Sequence, residues 1–156
     1  MQKIIQFFLV LLLCFFLNVA NAHANQVTDL PNIKLTNNAQ IDFNARKFID
    51  AYLQIWNDQA VDKADNYYTK DVIYRDIALD TTNKGIKELK QFMQEQFQSI
   101  PDLKFKTLDI VVESPEKIAV VWLMTGSENG QPFETEGVSV MELKEGKVFQ
   151  NTDYYH

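Results

Sequence analysis

From Gln40 onward the apolar residues Ile41, Ala45, Phe48, Ile49, Tyr52, Ile55 and Trp56 recur at helical spacing, which predicts a helix that buries one stripe. The pattern stops at Trp56-Asn57-Asp58, and residues 61–68, with Asp62 and Asp65 near their start, predict a brief second helix. Val72-Ile73-Tyr74-Arg75-Asp76 reads as a strand that finishes on a carboxylate. Asn83-Lys84-Gly85 then breaks the chain, and Ile86, Leu89, Met93, Phe97 and Ile100 mark a third helix stopped by Pro101.

Beyond Pro101 the period falls to two. Strands are expected over 103–112, 117–126, 133–142 and 147–155, separated by Ser114-Pro115-Glu116, Glu128-Asn129-Gly130-Gln131 and Lys144-Glu145-Gly146. Each separator is a hairpin signal, the Asn-Gly pair the strongest. Both alternating sets of 118–125 are apolar (Ile118, Val120, Trp122, Met124; Ala119, Val121, Leu123), which predicts cover on both faces, as for a central strand. Helices first and a long meander afterwards indicate one α+β domain over 39–156, in which a curved mixed or antiparallel sheet wraps against three N-terminal helices.

Residues 1–22 read as a signal peptide: Lys3 supplies the positive start, an unbroken apolar run covers 7–17, and small residues follow. Ala20-Asn21-Ala22 and Ala22-His23-Ala24 both fit the cleavage pattern, so the mature chain is expected to begin at His23 or Asn25 and to be exported to the periplasm or the extracellular space. The apolar run is short for a membrane span and is flanked by Gln6 and Asn18. Residues 23–38, with Pro31 and several Asn and Thr, form a leader without a sustained period.

Charge and cysteine content narrow the chemistry. Removing Lys3 from 15 basic residues leaves 14 against 21 acidic ones, and Lys84, Lys87 and Lys90 surround Glu88 as a solvated helix face. That excludes a basic nucleic-acid footprint. Cys14, the single cysteine, lies inside the signal, so the exported chain has no disulfide, thiol nucleophile or cysteine metal site. His23 and His156 are the only histidines. No metal site is therefore expected.

The helix ending in Trp56-Asn57-Asp58, the strand carrying Asp76, Gly85 before a helix, Ile100-Pro101-Asp102-Leu103, Gly137 within a strand, Gly146-Lys147-Val148 and the closing Asp153-Tyr154-Tyr155 occur in one order. Together they resemble the SnoaL-like and ketosteroid-isomerase-like families of the nuclear transport factor 2-like superfamily. The resemblance implies a cone-shaped sheet whose open end holds a small, mostly apolar molecule, no cofactor, and a homodimer.

It also implies roles. Asp76 lies where the isomerases carry a general base, and a carboxylate walled by apolar groups is a better proton acceptor near neutral pH. As an alternative, Asp76 ends a strand and caps the following turn. Tyr52 matches a helix-one tyrosine that donates to a developing oxyanion, or it packs in the core with its hydroxyl satisfied. Asp153 resembles an acid on the last strand of some SnoaL-like enzymes and can share acid and base work with Asp76, or it is a solvated strand end. The isomerases' second donor, a protonated acid, has no counterpart among Gly137-Val138-Ser139-Val140, which argues against ketosteroid isomerase activity. Trp56, Tyr74, Phe92, Trp122 and Phe133 are the expected apolar lining. The expected function is binding of a small apolar molecule, with isomerisation, cyclisation or hydration through an aspartate shuttle; the alternative is a non-catalytic binding or self-association module.

Overall fold

The computed structural model describes residues 39–156, with side chains from Asn44 onward. The expected signal segment and leader lie outside the described residues. Helix α1 (Ala39–Asn57) is followed by a 3-10 helix (Val61–Asn66), strands β1 (Tyr68–Asp76) and β2 (Thr81–Lys84), helix α2 (Ile86–Ser99), and then β3 (Lys104–Ser114), β4 (Lys117–Glu128), β5 (Gln131–Lys144) and β6 (Lys147–Tyr154). The expected three leading helices are thus two α-helices and one 3-10 turn, with two strands before the last helix. Strand β2 has no apolar residue, so periodicity does not show it; short and polar, it suits an edge.

The strands form one sheet in the order β2-β1-β6-β5-β4-β3. Strand β1 runs parallel to β6 and the other neighbours are antiparallel, so the sheet is mixed. That parallel pairing joins the first strand to the last and places Asp76 beside Asp153. Register shifts in β1, in β3 and between β5 and β6 bend the sheet.

The inner face packs against the helices. Ala45, Ile49, Tyr52, Leu53, Ile55 and Trp56 of α1 and Leu89, Phe92, Met93 and Phe97 of α2 are buried against Val72, Val120, Trp122, Met141 and Val148. Helix α1 ends in a Schellman pattern: the Ala60 N–H reaches the Ile55 carbonyl at 2.8 Å, the Gln59 N–H reaches that of Trp56 at 3.1 Å, and Gln59 takes φ 54°. Asn57 then pairs with the Phe105 backbone, accepting at 2.7 Å and donating at 3.0 Å, which fixes Trp56 under β3. Strand β4 lies one place from the β3 edge. Ile118, Val120 and Trp122 are buried, while Ala119, Val121 and Leu123 are only half covered, so the described residues cover one face of it and not both.

Candidate functional site

A cavity of about 430 Å³ opens between α2 and the inner face of the sheet. Trp56, Tyr74, Phe92, Trp122 and Phe133 line it, as do Asp76 and Asp153; Phe105 and Tyr155 complete its aromatic wall. Tyr52 does not line it. Its ring sits behind Trp56 and Tyr74, against a void of about 10 Å³.

Strand geometry explains the grouping. Tyr74 and Asp76 are two residues apart on β1, and Asn151, Asp153 and Tyr155 are spaced by two at the end of the chain, so each set shares a face. Ser139 pairs with Asp153 across β5 and β6, and Trp122 pairs with Gly137 across β4 and β5. A Cβ on Gly137 would come within 2.2 Å of the Trp122 ring, so the glycine is what allows the indole to lie flat across β5. The inward set of β5 is Gly137, Ser139 and Met141, with Glu136 and Glu142 exposed.

Hydrogen-bond chemistry assigns the protons around Asp153. An indole N–H can only donate, so Trp122 Nε1 gives to Ser139 Oγ at 2.8 Å, and the Ser139 hydroxyl gives its own hydrogen to Asp153 Oδ1 at 2.5 Å. Asn151 Nδ2 donates to the same oxygen at 2.7 Å, and the Tyr74 hydroxyl donates to Oδ2. Burial is the largest influence on this carboxyl and pushes it up to about 6, with the Asp76 charge adding to the rise; the donations from Ser139, Tyr74 and Asn151 oppose it. Asp153 is therefore a carboxyl poised to give or take a proton close to neutral pH.

Asp76 both caps a turn and faces the cavity. Its Oδ1 accepts from the Leu79 N–H at 2.9 Å and its Oδ2 from the Tyr155 hydroxyl at 2.9 Å, while the residue is 4% exposed. Burial, with help from Asp76, raises the Tyr155 phenol, which thus stays protonated and donating. A second, separate network lies deeper: Trp56 Nε1 donates to Tyr68 Oη at 3.0 Å, and Tyr68 Oη donates to Tyr52 Oη at 2.8 Å. Burial raises the Tyr52, Tyr68 and Tyr74 phenols as well.

Sequence reasoning passed over Phe105, Tyr155 and Asn151 as site residues. The last two carried a signal, since period two places them on the Asp153 face. Phe105 carried none, because its position depends on the Asn57 clamp. Among the described residues, no cluster of His, Cys, Asp and Glu is arranged to hold a metal ion.

A family model described as SnoaL-like polyketide cyclase matches residues 46–156. A search of curated proteins found no match. Among solved structures, a hypothetical protein of ketosteroid isomerase-like fold from Catenulispora acidiphila, in complex with trimethylamine, superposes with TM-score 0.65 at 14% identity, covering 69% of this chain and 84% of that one. A SnoaL-like polyketide cyclase from Agrobacterium tumefaciens gives TM-score 0.62 at 17% identity, with 71% and 90% covered. AclR, a putative hydroxylase from Streptomyces galilaeus, gives 0.63 at 15% identity, with 74% and 90% covered. At such identities these structures speak to the fold alone, whereas the family match spans most of the described domain: the chain belongs to the SnoaL-like polyketide cyclase family.

Proposed function

We propose that the cavity binds a small, mostly apolar molecule and that Asp76 and Asp153 move a proton on it without a cofactor, in an isomerisation, cyclisation or hydration. The observation that carries this reading is two buried carboxylates, side by side on β1 and β6, in the wall of an otherwise aromatic cavity. A carboxyl held near 6 serves as acid in the protonated form and as base in the ionised one. Tyr52 supports the wall from behind and does not touch the bound molecule.

The test uses the protein purified from its host with whatever molecule it retains. Incubated in D₂O with an excess of that molecule, wild type is expected to introduce deuterium at carbon, read by proton NMR and mass spectrometry. Asp76→Asn, saturated with the molecule, should lose exchange at least a hundredfold, within the usual range for a general base. Retention without exchange in wild type would leave a binding module.

The outer face of the sheet favours self-association in addition. Val111 is 58% exposed and Tyr154 50%, and between them run the half-covered Ala119, Val121, Val138 and Val140. A homodimer through this face would cover the second side of β4; Val111→Lys should then shift sedimentation to the monomer. We further propose export after loss of the first 22 to 24 residues, which the intact mass of the extracytoplasmic protein tests.

A further inference from the structure

We propose that the molecule held in this cavity carries a positive charge, as a protonated or quaternary amine on an apolar body. The inference rests on the pocket reading above and names the class of its ligand.

The wall is a continuous belt of rings. Phe92 lies 5.7 Å from Tyr74, Tyr74 5.9 Å from Trp56, Trp56 6.0 Å from Phe105, Phe105 5.4 Å from Trp122, and Trp122 5.6 Å from Tyr155, and all six line the cavity. Aromatic walls attract cations through the ring quadrupole, and quaternary ammonium groups are the ligands that such cages suit.

The polar groups of the belt are committed in one direction. Trp56 gives its N–H to Tyr68, Trp122 to Ser139, Tyr74 its O–H to Asp153 and Tyr155 to Asp76. A ligand that needs donors, such as a carbonyl developing negative charge, finds its aromatic neighbours already spent. Acceptors remain on both oxygens of Asp76 and on Asp153 Oδ2, each of which takes one hydrogen bond and has a second lone-pair direction, while Asp153 Oδ1 already takes two.

Charge points the same way. Asp76 and Asp153 are buried in the wall, Glu128 adds a third carboxylate on its exposed rim, and among the described residues no lysine or arginine lines the cavity. The two ion pairs among the described residues, Lys90 with Asp65 and Lys117 with Glu113, use other residues. Of the described lining side chains, only that of His156, which is exposed, can take a positive charge. A buried carboxylate without a cation is costly, and a cationic ligand offsets that cost where an anionic one adds to it.

Trp56 and Trp122 are the only tryptophans, and both face the cavity, so their fluorescence reports occupancy. The experiment titrates the protein with benzyltrimethylammonium and with neopentylbenzene, its uncharged carbon isostere of the same shape. The cation is expected to bind at least tenfold more tightly, and that preference should fall below threefold in Asp76→Asn or, should that variant not fold, in Asp153→Asn. Equal binding, or tighter binding of the neutral isostere, overturns the charge inference and leaves the apolar pocket standing. Binding of neither overturns both readings. A cation preference that persists in both variants also overturns it, because the charge would then be read elsewhere.

Discussion

Two buried polar networks lie side by side beneath the sheet, and they are built differently. In the first, Trp56, Tyr68 and Tyr52 pass hydrogen bonds along a neutral chain whose phenols burial holds protonated. In the second, Ser139, Asn151 and Tyr74 donate to the carboxyl of Asp153, which opens on the cavity, and Trp122 donates to Ser139 behind them. The first network satisfies its groups at little electrostatic cost. The second concentrates three donors on a group whose charge burial opposes, the kind of arrangement that marks a candidate functional site. Pairing, geometry and charge thus separate the two networks more clearly than residue type does, since both contain a tyrosine and a tryptophan.

Substitutions test that separation. The largest expected effect is on turnover: Asp76→Asn should lower carbon exchange at least a hundredfold in D₂O, whereas Tyr68→Phe should leave it within a factor of two. In stability, Gly137→Ala should cost about 2 to 3 kcal/mol, since the new methyl must push aside the Trp122 ring that holds Ser139; urea unfolding measures the loss and near-ultraviolet dichroism the displaced indole. Tyr68→Phe should cost about 1 to 3 kcal/mol by orphaning the buried Trp56 N–H, with unchanged binding to the cavity. Tyr52→Phe leaves the buried Tyr68 O–H without its acceptor at the end of that chain and should cost about 1 to 2 kcal/mol. A large loss of turnover in Tyr52→Phe would mean that the deeper network takes part in the reaction.

Much of this was legible in the residues. The stripe from Ala45 to Trp56 and the three hairpin separators place α1 and the β3–β6 meander with small shifts at their ends. Strand β2 was not legible, because Thr81-Thr82-Asn83-Lys84 has no apolar member and exists through its pairing with β1. Nor was the β1–β6 pairing, which joins residues almost eighty apart in sequence and creates the carboxylate pair. Capping the turn and facing the cavity are compatible for Asp76, since one oxygen accepts from Leu79 and the other from Tyr155. Tyr52 kept helical spacing with Trp56, but spacing alone does not say whether a hydroxyl points to a cavity or to another phenol.

Asp153 is a charge held in the cavity wall at a cost to the fold. Burial raises its carboxyl from 3.8 to about 6, so its contribution to stability is full below pH 4 and is lost as pH rises through 6. The substitution Asp153→Asn keeps the shape of the side chain and the oxygen that accepts from Ser139 and Asn151, turns its other end into an NH2 to which the Tyr74 hydroxyl must swing round as acceptor, and removes the charge. Urea unfolding of wild type and Asp153→Asn, compared at pH 8 and pH 4.5, measures that cost directly. The variant is expected to be more stable by about 3 kcal/mol at pH 8, with the gap narrowing to about 1 kcal/mol at pH 4.5. A variant less stable than wild type at pH 8 would make Asp153 a structural acid and contradict the account.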